Sequence, residues 1–225
     1  MKYLLNLIYG KCIAASKRIS RNRLYKLVKK DLNTQNRNIK FKKVLFVGAG
    51  GRLEKITREN LECELITIDF DPIRSPTYIM SVEDMSFDNE TFDLILMLEV
   101  LEHVENPFNA SKELYRVLKK DGILIVSTPF IFGIHDAPVD YWRFTKFGLK
   151  NIFKLFKDVK IEERSGFCIT ISTLLCRLIM CKSLIHKILG CFFSVISLLS
   201  LPILILLDSF MPKIITTGYY LKARK

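Results

Sequence analysis

Acidic residues are almost missing from the first 43 positions. Asp31 stands alone there against 13 lysines and arginines, while the other 182 residues hold 22 side chains of each sign. The formal charge of +12 is therefore a property of the N-terminal arm, and the rest of the chain is neutral. The six cysteines (Cys12, Cys63, Cys168, Cys176, Cys181, Cys191) include no C-x-x-C pair, and no histidine stands at zinc spacing. That excludes the usual metal frameworks and points to reduced, buried thiols in a protein facing the cytoplasm. The opening apolar run is about seven residues long and is followed by Lys11, Lys17 and Arg18, which argues against a cleaved leader. There is no internal repeat, no low-complexity linker and no G-K-S/T after a glycine turn, so a P-loop is excluded.

Apolar residues make up 49% of the 225, enough to bury a full core. Lys43–Val47 is a short β-branched and aromatic strand ending at Gly48, and a short helix over Arg52–Asn60 follows. Strands are expected at Leu65–Ile68 and Thr77–Met80, with Pro72 and Pro76 leaving no room for a full helix between them. Phe92–Leu98 has the continuous apolar character of a central parallel strand. Asn106 and Pro107 then open a helix with Leu114, Val117 and Leu118 as its stripe, Lys119 and Lys120 in its last turn and Gly122 at its C-cap. Gly122–Ser127, a helix over Thr145–Phe156, Val159–Glu163 and a last strand over Gly218–Ala223 complete the pattern. The polar stretch Asn33–Asn38 reads as a loop. Strands alternating with helices imply a doubly wound α/β sheet with right-handed crossovers.

The turn after the first strand, Gly48-Ala49-Gly50-Gly51-Arg52, lets backbone approach a ligand and directs N–H groups at it. Asp69 closes the second strand, where a carboxylate accepts both hydroxyls of a ribose. The dinucleotide pattern G-x-G-x-x-G fails, because its third glycine falls on Leu53. A nucleoside-type cofactor without a pyrophosphate fits this turn.

The segments Ser81-Val82-Glu83-Asp84-Met85-Ser86-Phe87, Glu90-Thr91-Phe92-Asp93-Leu94-Ile95-Leu96, Leu98-Glu99-Val100-Leu101-Glu102-His103-Val104, Glu113-Leu114-Tyr115-Arg116-Val117-Leu118-Lys119 and Ser127-Thr128-Pro129 occur in that order. Together they resemble the class I S-adenosylmethionine-dependent methyltransferases, of the small-molecule, type 11-like kind, over about 43–165 and 216–225. The resemblance implies a Rossmann-like seven-stranded sheet whose last strand runs antiparallel. It implies that Gly48, Ala49 and Gly50 line the methionine and ribose portion of S-adenosyl-L-methionine, and that Asp69 holds the ribose with Phe70 on the adenine. Ser81 and Val82 would meet the adenine edge, and Leu98 and Glu99 would flank the sulfonium. Three positions depart from the family. Phe46 stands where an acid two before the first glycine is usual, Arg52 where the third glycine is usual, and Ser81 where an acid often contacts the adenine amino group.

The run His135-Asp136-Ala137-Pro138-Val139-Asp140-Tyr141-Trp142-Arg143-Phe144-Thr145 resembles a segment, H-x-x-P-x-D-Y/F-W-R-Y/F-T, of bacterial methyltransferases associated with surface-polysaccharide or glycolipid synthesis. Tyr141, Trp142 and Arg143 are candidate substrate-binding residues for a sugar-like ring. His135 is the first candidate base, oriented by Asp140, and His103 the second. The alternatives are that His103 caps the following helix and that Asp140 and Arg143 hold a lid by an ion pair. No metal is assigned.

Ile188–Leu207 is 20 residues without a charge, between Lys187 and Asp208. The length suits a bilayer core, but the strands before and after it belong to one sheet, so the chain crosses an even number of times or not at all. A helical hairpin dipping into one leaflet, with Pro202 favouring a bend, is expected; a buried subdomain or oligomer interface is the alternative. The chain thus divides into a basic amphipathic arm (1–42), a cofactor domain (43–165), an apolar insertion (166–215) and a final strand (216–225). The arm, apolar through Tyr3, Leu4, Leu5, Leu7, Ile8 and Tyr9, favours an anionic membrane surface over nucleic acid, while a first helix packed on the domain accounts for the same pattern. The expectation is a methyltransferase on the cytoplasmic face of a bacterial inner membrane, O-methylating a small-molecule or lipid-linked glycan acceptor. The alternatives are a quinone-precursor methyltransferase and a degenerate cofactor domain serving as a membrane-attached partner.

Overall fold

The computed structural model describes residues 2–38 and 41–225, with side chains over 9–34 and 41–225. It divides into two compact units. The larger comprises Leu24–Phe130, Ile134–Glu162 and Tyr219–Lys225, and the smaller comprises the residues up to Arg23, Ile131–Gly133 and Glu163–Gly218.

The larger unit is built on β1 (Lys43–Val47), β2 (Glu64–Asp69), β3 (Tyr78–Ile79), β4 (Phe92–Leu98), β5 (Leu118–Pro129), β6 (Lys157–Glu163) and β7 (Gly218–Arg224). These form one seven-stranded sheet in the order β3-β2-β1-β4-β5-β7-β6. β1 pairs in parallel with β2 and β4, and the β2–β3 and β4–β5 pairs are parallel too. Lys225 N–H, just beyond β7, donates to Gly122 O near the start of β5, so the last strand runs antiparallel. The expected fold class is the observed one.

Central strands buried on both faces need apolar residues at every position, and β4 supplies them: Phe92, Leu94, Ile95, Leu96 and Met97 have no solvent contact. One face packs Leu45, Ile95 and Met97 against α3 (Pro107–Val117) and α4 (Lys146–Ile152) through Leu114, Val117, Leu149 and Ile152. The other packs Phe46, Leu94, Leu96 and Tyr220 against α2 (Gly51–Asn60) and the C-terminal part of α1 (Lys2–Asn38). Leu24, Val28 and Leu32 recur every fourth residue, which makes the stripe of α1 that covers this face.

Local signals set most boundaries. Asn106 caps α3 by accepting from Asn109 N–H at 3.1 Å, with Pro107 in the first turn. Thr145 caps α4 in the same way through Gly148 N–H. The crossover between β2 and β3 shrinks to a 3-10 turn at Pro72–Arg74. Several expected boundaries fail, among them the helix over Thr145–Phe156, which stops at Ile152. The stretch 33–38 continues α1 rather than forming a loop. Helix α3 ends at Val117, and Lys119 and Lys120 already belong to β5. Leu118 pairs with Phe92, and Lys119 Nζ meets Asp93 Oδ1 at 2.7 Å, so strand pairing takes these residues from the helix. Gly122 then serves the register shift rather than a C-cap: a Cβ there would lie 2.7 Å from Lys119 O.

In the smaller unit, α5 (Phe167–Arg177), α6 (Leu184–Leu199) and α7 (Leu201–Phe210) pack together. The carboxylate of Asp208 accepts from Gly166 N–H at 2.8 Å and Cys168 N–H at 2.7 Å, so it caps α5 from the last turns of α7. The side chains of Tyr3, Leu4, Leu5, Leu7 and Ile8 lie outside the described residues, while Tyr9 hydroxyl donates to Ile179 O. All six thiols are free; Cys12 and Cys176 are buried, but Cys181 is exposed rather than buried as expected.

Asp31, the arm's single acid, ties α1 to β7. It accepts from the buried Tyr220 hydroxyl at 2.8 Å and from Lys222 Nζ at 2.8 Å. Burial first, and then the adjacent carboxylate, push the Tyr220 phenol well above its usual range. Replacing Asp31 by Ala leaves that hydroxyl without its acceptor and should cost about 1–3 kcal/mol in urea unfolding. The Asp31→Ala/Tyr220→Phe double variant should cost less than the sum of the two single changes, because the orphaned hydroxyl is gone.

Candidate active site

After β1 the chain builds β2 and β3 on one side, then returns through β4 and β5 on the other. The carboxyl ends of β1 and β4 therefore form the topological switch point where open α/β sheets bind ligands. Gly48 sits there with φ 89°, and a Cβ on it would meet Val100 Cγ2 at 2.4 Å. Both the backbone conformation and the approach of the β4 loop require glycine at this position. Gly50 and Gly51 also have positive φ, and open space lies where their Cβ atoms would be.

Asp69, at the end of β2 and almost fully buried, accepts from Ala49 N–H and Asp71 N–H at 2.9 Å each. Its side chain is thereby oriented beside the glycine turn, with lone pairs left over for further donors. Phe70, next in sequence, is 63% exposed, an accessible aromatic face. Met80 N–H donates to Asp69 O, which brings the chain past β3 to this corner. There the Ser81 hydroxyl accepts from Glu83 N–H, while Val82 is buried in the core. Leu98 ends β4 buried, and Glu99 (φ 60°) is tied to β5 by Ser127, whose hydroxyl donates to Glu99 Oε1 at 2.9 Å. The start of α2 is not offered to a phosphate, because Glu54 Oε2 already accepts from Gly50 N–H at 2.6 Å. These features fit a nucleoside cofactor without a pyrophosphate.

The three departures have structural partners. Phe46 is buried beneath Leu24, Val28 and Leu32 of α1, where a carboxylate would be desolvated. The Arg52 guanidinium turns outward and lies 4.9 Å over the Tyr25 ring. Ser81 is used as a turn acceptor.

A second cluster gathers around Glu102, which lies within the Leu98–Val104 motif. Its side chain has no solvent exposure. Oε2 accepts from Thr128 Oγ1 at 3.4 Å, and Oε1 has no hydrogen-bond donor. His103 Nε2 and His135 Nε2 each stand 3.7 Å from Oε1, close enough for an ion pair but too far for a hydrogen bond. The two imidazoles meet edge to face at 5.1 Å. His103 Nδ1 lies 2.6 Å from the carbonyl of Val139, which can only accept, so Nδ1 carries the proton and Nε2 is the basic nitrogen. His103 does not cap α3; Asn106 does. Both nitrogens of His135 face carboxylates, Nε2 toward Glu102 and Nδ1 toward Asp140 at 3.4 Å. Glu102, next to His103 in sequence, was legible only as a neighbour; its burial against His135 was not.

Burial pushes the Glu102 carboxyl up, against the pull of His135. The nearby Glu102 carboxylate, with Asp140 and Asp136, lifts His135 above its ordinary value despite its own burial. Arg143 holds Asp140 down at about 2 through contacts of 2.6 and 2.7 Å. Asp140 thus orients His135, whose backbone N–H it also accepts at 2.9 Å, and Arg143 orients Asp140. Tyr141 and Trp142 N–H donate to the Glu102 carbonyl, and Trp142 Nε1 donates to Val104 O. The indole, 42% exposed, stacks on Phe144. Glu102, His103 and His135 each offer one ligand atom, all within 4.8 Å of one another, a donor set of the kind that divalent cations use.

A seven-stranded sheet with an antiparallel last strand, a glycine turn and an acid at the end of the second strand define a Rossmann-like domain. The profile of the family described as "Methyltransferase domain" matches residues 47–126. The match covers the strands and helices from the end of β1 into β5, the part of the sheet that carries the glycine turn and Asp69. Among curated proteins it is similar to the ubiquinone biosynthesis O-methyltransferase of Glaesserella parasuis serovar 5 (strain SH0165), at 27% identity over 43% of this chain and 49% of that protein. The chain thus spans about half the length of that relative. Among solved structures it resembles a SAM-dependent methyltransferase from Archaeoglobus fulgidus (TM-score 0.55, 17% identity, 89% of this chain and 94% of that one). It also resembles the cyclase SpnF (TM-score 0.57, 16% identity, 89% and 81%). These likenesses are of fold.

Two outcomes follow. Asp69→Asn keeps the shape but removes the charge that strengthens ribose hydrogen bonds, so calorimetric affinity for S-adenosylmethionine should drop about tenfold or more; unchanged affinity refutes the assignment. In NMR titrations His135 should titrate above about 6.5 in the native protein and lower in Glu102→Gln. Because its folded pKa is raised, its stabilisation is complete below about pH 6.5 and is lost as pH rises through the raised value.

Proposed function

We propose that the protein transfers a methyl group to a hydroxyl of a polar, ring-shaped acceptor, a glycan or glycolipid carried at a membrane. The observation that carries this reading is the buried Glu102 with its two imidazoles, beside the exposed Tyr141 and Trp142 at the carboxyl edge of the sheet. When bound, S-adenosylmethionine supplies an electrophilic methyl on a sulfonium. Gly48, Ala49, Gly50 and Asp69 would hold it, with Phe70 against the adenine. The protein's own part is to align the hydroxyl and take its proton.

His103 is the better-placed base. Its tautomer is set by Val139, and the imidazolium formed at Nε2 is stabilised by Glu102. His135 stands between Glu102 and Asp140, held on both ring nitrogens' sides, so it acts as a positioning residue rather than as the base. Trp142 and Tyr141 supply ring faces for a sugar, and the Arg143–Asp140 pair sets the loop that bears them.

A second reading, methylation of a quinone precursor, is supported by the 27% identical ubiquinone biosynthesis O-methyltransferase. Assays of purified protein with lipid-linked saccharides and with catechol-type acceptors separate the two. A third, a degenerate domain acting as a membrane-attached partner, draws on Phe46, Arg52 and Ser81; heat on titration with S-adenosylmethionine would remove it.

His103→Gln should lower kcat by about 10²-fold or more while leaving cofactor affinity unchanged. Turnover should also survive dialysis against EDTA, since proton transfer by the trio needs no ion. Loss of activity that Mg²⁺ or Zn²⁺ restores would reassign the three side chains as metal ligands.

A further inference from the structure

The smaller unit buries an apolar cluster of Ile19, Ile169 and Cys176, but two of its helices, α6 and α7, have their polarity reversed. On α6 the buried residues are Gly190, Ser194 and Ser197, while Ile188, Phe192, Val195 and Leu199 are exposed along one face. Leu206 and Phe210 of α7 are exposed as well, and the residue α7 buries is Asp208. A helix of a water-soluble domain presents the opposite pattern. The small residues permit close backbone approach: a Cβ on Gly190 would lie 2.2 Å from Ile179 N. The buried hydroxyls are satisfied internally, Ser194 by Gly190 O at 2.7 Å and Ser172 by Ser197 at 2.6 Å. Small residues at helix contacts and large apolar ones outside are what hydrocarbon solvent selects.

Charge identifies the occupant. The residues of this unit include 11 lysines and arginines against two acids, Glu163 and Asp208; Arg164 is buried and Arg177 lies over the Phe132 ring, while Lys11, Lys17, Arg18, Lys182 and Lys213 are exposed. Asp208 is buried and taken up by backbone N–H groups. Two copies of so basic a surface would repel each other, whereas anionic headgroups complement it. No single described helix is long and apolar enough to cross a membrane, and α6 and α7 meet at a bend of 75° at Ser200, with Pro202 in the first turn of α7. Their 16 and 10 residues are about 24 and 15 Å long, each short of the ~30 Å hydrocarbon core. The insertion also begins and ends on neighbouring strands, β6 and β7, of one sheet, so the chain returns to the side it left.

We propose that α6 and α7 form a re-entrant wedge sunk into one leaflet of an anionic bilayer, with the unit's exposed lysines and arginines against the headgroups. This does not depend on which acceptor is methylated. The test is flotation of the purified full chain with vesicles of phosphatidylcholine alone or with 30% phosphatidylserine. The native protein should float with both, and more with the anionic vesicles, by a margin that 0.5 M salt and Lys182→Gln/Lys187→Gln reduce. Ile188→Gln/Phe192→Gln/Val195→Gln should cut the bound fraction about tenfold or more. These side chains are exposed, so thermal unfolding and cofactor affinity should stay unchanged and certify the fold. In sealed inverted vesicles, a membrane-impermeant maleimide should reach Cys181 and a cysteine placed at Lys213 from the same side. Native protein that stays in the aqueous fraction overturns the proposal, as does a native dimer that the triple variant dissociates, or labelling from opposite sides.

Discussion

A carboxylate without solvent contact must find its compensation inside the protein, and Glu102 is that group here. Thr128 at the end of β5, His103 beside it and His135 from the following loop supply the compensation. Its backbone carbonyl receives Tyr141 and Trp142 N–H. One residue thus joins the β4 loop, the end of β5 and the aromatic segment into a single surface. The shape of the acceptor side follows from where this charge is buried.

The cofactor side answers to a different constraint, the helix α1 laid over one face of the sheet. Leu24, Val28 and Leu32 seal that face, and an ionised side chain at position 46 would have no water beneath them. Phe46 fills the space, and Arg52 extends to Tyr25 of the same helix. Two departures that look like decay in a linear motif, Phe46 and Arg52, are thus matched to the helix that covers them. Asp69 and Gly48 keep the geometry that a nucleoside requires.

The two units expose different side chains. In the larger, apolar side chains turn inward from both faces of the sheet, and exposed positions are mostly polar. In the smaller, α6 and α7 turn hydroxyls and a carboxylate inward and leucines, isoleucines and phenylalanines outward. Asp208 holds the pieces together by capping α5, and a Cβ at Gly166 would strike it at 2.7 Å. A buried acid in an apolar hairpin is tolerable because three backbone N–H groups satisfy it.

Local chemistry made much of this legible in one dimension. The unbroken apolar run of β4, the glycine turn after β1, Asp69 at the end of β2 and the Asn106-Pro107 helix start are each written in a few adjacent residues, because strand burial, turn dihedrals and helix caps are short-range demands. Where long-range pairing competed, the local reading failed. Leu118 to Lys120 left the helix because Phe92 and Asp93 were there to pair with them. The candidates His103, His135 and Asp140 are legible as letters, but their surroundings are not: Glu102 meets His135 across a loop, and the Val139 carbonyl fixes the His103 proton. The sequence alone determined the class of fold, its cofactor turn and an uncharged segment of bilayer length. Only the tertiary structure decided that this segment breaks at Ser200 and turns its small polar residues inward, because which face of a helix is buried depends on what packs against it.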